Sequence, residues 1–92
     1  FLERLSTTAD GDGSLLDHSL VLFGSGMSEA NTHSRLNIPT LLVGGSSAGF
    51  KGNRHVQTKP ETPFANCLLS VANIFGCELK SFGTLSTGEL SL

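Results

Sequence analysis

The chain has no run of apolar residues approaching the roughly 20 that a membrane helix requires, so insertion into a bilayer is not expected. It also has no charged start followed by an apolar stretch of the kind that marks an export signal. Basic residues are few and scattered singly: 6 Lys and Arg stand against 8 Asp and Glu, for a formal net charge of -2. That leaves no basic stripe to neutralise a phosphate backbone and excludes nucleic acid as an expected partner. There are only 2 cysteines, with no CxxC and neither beside a histidine, so a zinc ribbon or finger is excluded. Ten residues of helix would separate Cys67 from Cys77 by about 15 Å, beyond disulfide reach, and both read as packed thiols. Internal repeats and heptads are absent as well.

What remains is one small α/β domain at most, and domains near this length bury only about 60% of the surface their unfolded chain exposes. Phe1, Leu2 and Leu5 read like the end of a helix that began upstream, which makes residues 1–92 the expected C-terminal part of a longer chain. On that expectation the upstream part of the same protein is the first partner, covering the sheet edge and the Phe1, Leu2, Leu5 stripe.

Asp10-Gly11-Asp12-Gly13-Ser14 is a turn by composition. A calcium-loop reading fails, because Leu15 and Val21 stand where an EF-hand needs Gly and Glu. Ser19 to Phe23 and Thr40 to Val43 are short, branched apolar runs, the second behind Pro39, and they predict two parallel strands buried on both faces. Gly24 to Ile38 between them is polar and about the length of a functional loop. A loop at the carboxyl end of a strand is where open α/β sheets place ligands. Thr62-Pro63 reads as a helix start, Thr as N-cap. Phe64, Leu68, Val71, Ala72 and Phe75 form a stripe at three- and four-residue spacing, to be laid on the sheet, with Gly76 as the stop. Cys77 to Phe82 is a candidate edge strand, and the tail from Gly83 is expected to fray.

Candidate chemistry concentrates in that loop and just past the second strand. Gly44-Gly-Ser-Ser-Ala-Gly-Phe-Lys-Gly has the look of a phosphate loop, but Phe50 occupies the lysine position and Gly52 follows Lys51 where Ser or Thr is needed. The 3 histidines form no local ligand set. His18 reads as a surface or capping residue. His33 shares its loop with Ser25, Glu29, Asn31 and Ser34 and is the strongest site candidate. His55, near Lys51 and Arg54, is either a solvated cationic patch or the rim of an anion site. Ser25, His33, Lys51 and His55 are therefore the expected anion- or substrate-binding residues.

Taken together, FLERL, DGDGSLLDHSLVLFGSGMS, NTHSRLNIPTLLVGG, GFKGNRH, TPFANCLLSVANIFG and the closing SFG with TGELSL resemble the C-terminal end of the HXXSHH-domain family, bacterial proteins of unknown function. The resemblance covers nearly the whole chain and implies a secreted or periplasmic address. LLDHSLVLFGSGM, followed by His33 and NIPTLLVGG, is also distantly similar to the metal-binding segment of sulfatases and alkaline phosphatase-like enzymes. In that segment a strand ends in Ser-Asp-His-Gly and the Asp-His pair binds metal. Here Ser25 matches the Ser, but Gly26 and Met27 replace the two ligands, and of the histidines only His33 matches.

The resemblance implies an alkaline phosphatase-like α/β fold with a parallel or mixed sheet. It implies a binding or structural domain with a degenerate site and no cofactor in this segment, taking a small anionic or glycan ligand. The alternative is part of a metal-dependent hydrolase of sulfate, phosphate or other ester or glycan substrates, with His33 as a divalent-metal ligand and the other ligands upstream.

Overall fold

The computed structural model describes all 92 residues and shows a mixed α/β chain with two helices and two small antiparallel sheets. It divides into two compact units, Phe1–Asn53 and Arg54–Leu92. No helix is long and apolar enough to cross a membrane.

The first unit opens with helix α1, Leu2–Thr7. Its hydroxyl side chains bond back onto the preceding turn: those of Ser6 and Thr7 donate to Glu3 O, and that of Thr8 to Arg4 O, which also accepts Thr8 N–H. Strands β1 (Ala9–Asp10) and β2 (Gly13–Ser14) then pair with Asp10 opposite Gly13, so Gly11-Asp12 is a two-residue hairpin turn with Gly11 at φ 63. The turn expected over Asp10–Ser14 is therefore present and makes a hairpin.

Strands β3 (Leu20–Gly24) and β4 (Thr40–Gly44) fall within a residue of the two apolar runs, but they pair antiparallel, with Val21 opposite Val43 and Phe23 opposite Leu41. This corrects the expected parallel pair. Parallel neighbours need a crossover element to carry the chain back to the starting end. The segment from Ser25 to Pro39 instead turns on itself: Glu29 bridges Ser34, Ser34 N–H donates to Glu29 O and Ser28 N–H to Ser34 O. The returning chain thus meets β3 head to tail. The expected burial on both faces is also corrected, since Phe23 and Leu41 form a cross-strand pair that is 71% and 60% exposed. After β4, Gly45 (φ 74) leads into a single 3-10 turn, Ser46–Ala48.

The second unit is built on helix α2, Phe64–Ile74. Thr62 is not its cap: the Thr62 hydroxyl donates to Lys59 O in the preceding turn, and Pro63 occupies the cap position. The helix ends as expected before Gly76 (φ 80). Its buried residues are Asn66, Cys67, Leu69 and Ser70, whereas Phe64 and Phe75 of the expected stripe are exposed. Both cysteines are free, but only Cys67 is packed as expected, and its burial pushes the thiol pKa up; Cys77, just past the helix, is exposed.

The polar part of the buried face explains why the tail does not fray. Asn66 accepts from Thr87 N–H (2.7 Å) and donates to the Thr87 hydroxyl (2.9 Å). Ser70 accepts from Leu90 N–H at 2.6 Å, and its hydroxyl lies 2.9 Å from Asn66 O. Asn73 pairs with both backbone groups of Leu79 and also donates to the Glu89 carboxylate. Positions 66, 70 and 73 recur at helical spacing, so three side chains on one stripe hold the returning chain. Cys77 to Phe82 makes no strand, because Leu79 takes the Asn73 amide as its partner instead of another backbone.

Candidate functional site

The turn from Ser14 to Ser19 organises the first unit. Ser14 and Asp17 form a reciprocal capping box: Ser14 N–H donates to Asp17 Oδ2 at 2.8 Å, while Asp17 N–H donates to the Ser14 hydroxyl at 3.2 Å. The Ser14 hydroxyl in turn donates to Asp17 Oδ2 (2.9 Å), and the Ser46 hydroxyl donates to Oδ1 (2.7 Å). Backbone bonds radiate from the same turn. Leu16 N–H donates to Leu5 O in α1, Leu15 N–H to Thr8 O, Gly45 N–H to Leu16 O and Ser47 N–H to Asp17 O. One carboxylate and four peptide groups thus join α1, the first hairpin, β3 and the exit from β4.

The donors around Asp17, the Ser14 amide foremost and then the Ser46 and Ser14 hydroxyls, hold its pKa down to about 2 from an ordinary 3.8. A carboxyl whose folded pKa is depressed contributes stability that is complete above the unfolded value and disappears as pH falls through the folded one. The Phe1–Asn53 unit should therefore lose stability as pH drops from about 3.8 to about 2. Asp17→Asn should be less stable than the native chain at neutral pH and lose much of that acid sensitivity. Denaturant unfolding of both proteins across this range measures it, and an unchanged acid slope in the variant would remove Asp17 from the account.

His18, on the same turn, sits between two carboxylates. Its Nδ1 lies 2.9 Å from Asp10 Oδ2 and its Nε2 lies 2.9 Å from Asp12 Oδ1. The ring side chain is 27% exposed, and the bond to Asp10 chiefly, then that to Asp12, raises its pKa. His18 reads from sequence as a surface or capping residue because the two carboxylates that hold it lie six and eight positions upstream, outside any local ligand spacing. The two-residue hairpin turn brings them back. The usable signals were the Ser14-x-x-Asp17 box and the hairpin composition just before it.

The four expected site residues are distributed as follows. Ser25, immediately after β3, is exposed and accepts from Met27 N–H at 3.2 Å. His33 is exposed at φ 54 at the end of the small loop turn. Lys51, beyond the 3-10 turn, is exposed in the same unit, whereas His55 belongs to the second unit. The loop around His33 is held by Glu29, whose carboxylate accepts from Asn31 N–H (2.9 Å), Thr32 N–H (2.6 Å) and the Thr32 hydroxyl (2.6 Å). Those bonds, led by the Thr32 hydroxyl, depress its pKa and occupy both of its oxygens with backbone shaping. A shallow cavity of about 350 Å³ lies in the second unit between Val56–Lys59, the start of α2 and Glu89–Ser91.

No family model, no curated protein and no solved structure matches this chain.

Proposed function

We propose that this chain is a binding or structural α/β domain of the exported HXXSHH type, descended from an alkaline phosphatase-like ancestor whose metal segment has degenerated. The observation that carries the reading is the chemistry at the end of β3. Where the sulfatase-like segment supplies a carboxylate and an imidazole, this chain supplies Gly26, which has no side chain, and Met27, a soft thioether poorly suited to hard divalent cations. Glu29, the carboxylate on the same loop, is engaged in capping Asn31 and Thr32. The exposed Phe23 and Leu41 pair on the adjoining hairpin suits a surface that is covered by further protein, of which the upstream part of the same chain is the first candidate. The secreted or periplasmic address belongs to the same proposal. So does a small anionic or glycan ligand, meeting Ser25, His33 and Lys51 on one unit or His55 on the other.

Calorimetric titration of the chain with zinc and with calcium tests the loss of the metal segment. No binding at micromolar or tighter affinity is expected. A tight site with a stoichiometry of about one would overturn the reading in favour of a metal-dependent ester hydrolase, with His33 the first ligand to replace. Titration with sulfate, phosphate and simple sugars, followed by amide shifts at Ser25, His33, Lys51 and His55, then locates the ligand surface.

A further inference from the structure

The hydrogen-bonding capacity of one side chain is exceeded unless it is charged. A neutral imidazole has one N–H and one bare nitrogen, and a bare nitrogen directed at a carboxylate oxygen brings two lone pairs together. Both ring nitrogens of His18 lie at 2.9 Å from carboxylate oxygens, those of Asp10 at the end of β1 and of Asp12 in the hairpin turn. The arrangement is complete only with two N–H groups, hence with the imidazolium. The charged groups facing the ring are those two carboxylates and, on its own turn, Asp17, whose oxygens are already engaged by Ser14 and Ser46.

We propose that His18 is a pH-sensitive clasp: as imidazolium it pins the tip of the first hairpin to the turn that enters β3, and on losing a proton it releases one carboxylate and frees the tip. The clasp spans the hairpin loop and the turn from which the bonds to α1, β4 and the 3-10 turn radiate. Opening it leaves Asp17 and its capping box in place, so the change is confined to Asp10–Gly13. The sign follows from the direction of the shift. The folded pKa of His18 lies above its ordinary 6.5, so the clasp contributes fully below that value and is lost as pH rises through the folded one. The hairpin tip is closed on the acid side and open on the alkaline side, where one of the two carboxylates is released to solvent while the other keeps the remaining ring N–H.

Proton NMR titration of the His18 ring in the full chain, with amide shifts and heteronuclear relaxation of Gly11, Asp12 and Gly13 followed in the same samples, tests the clasp. The ring should titrate above the ordinary histidine value. The three amides should shift with the same midpoint and gain fast motion above it, while those of Ser46 and Val43 stay put. Asp12→Asn should lower the ring midpoint and weaken the coupled shifts, and the Asp10→Asn, Asp12→Asn pair should abolish them. A ring midpoint at or below 6.5, or hairpin amides that ignore it, would overturn the clasp. The native protein alone decides the matter if the double variant does not fold.

Discussion

Replacing Gly44 by alanine should destabilise the Phe1–Asn53 unit by about 3 kcal/mol or more, enough to unfold most of so small a unit at room temperature. Gly44 closes β4 opposite Leu20 with φ 97, a conformation that side-chain-bearing residues resist. A Cβ there would sit 2.6 Å from Leu16 O and closer still to Ser19 O. Neither oxygen can retreat cheaply. Leu16 O accepts from Ser19 N–H and Gly45 N–H, and moving it would open the turn on which the unit is assembled. Gly52→Ala is the control, because nothing lies within 4 Å of its would-be Cβ and its φ is not in the left-handed region. That change should stay within about 0.5 kcal/mol of the native chain. Denaturant unfolding monitored at the amides of Val21 and Val43 compares the two. Equal stability of the variants would mean that the Leu16–Gly44 approach does not constrain the fold.

Leu20–Gly24 and Thr40–Gly44 announce themselves as strands through branched apolar residues bounded by glycine and proline, and they form where expected. Their direction does not announce itself. Apolar residues on both faces read the same in a parallel or an antiparallel pair. What decides between them is the loop turn held by Glu29, whose carboxylate bonds to Asn31 and Thr32 look from sequence like ordinary loop polarity.

Helix α2 is legible from its apolar spacing, but the face it buries is not, because Asn66, Ser70 and Asn73 share the same helical period as the apolar stripe. A polar stripe is buried only when partners are delivered to it. Here the partners Thr87 and Leu90 come from 20 or more residues downstream, where no local pattern points to them. Of the candidate site, the loop carrying Ser25 and His33 was visible as a loop after a strand. The Asp10, Asp12 and His18 arrangement was not, since it depends on the exact residues that turn the first hairpin.

This distinction predicts which truncation in α2 matters. Leu69, 1% exposed, is the side chain withdrawn most completely from water, whereas Phe64, the larger residue and the head of the expected apolar stripe, is 41% exposed. Leu69→Ala removes buried methyl groups and leaves a cavity, at a cost of about 2–5 kcal/mol. Phe64→Ala keeps much of its change in solvent and should cost well under half of that. The loss at Leu69 should also reach the tail. Asn66 and Ser70, which flank it on the helix, hold Thr87 and Leu90, and a loosened helix cannot keep those bonds short. Hydrogen exchange at the Thr87 and Leu90 amides should therefore accelerate strongly in Leu69→Ala and only slightly in Phe64→Ala. Circular dichroism melts rank the two stabilities. If Phe64→Ala proved the more damaging change, the apolar stripe would be the true packing face of α2, and the polar ladder to the tail would be an accessory to it.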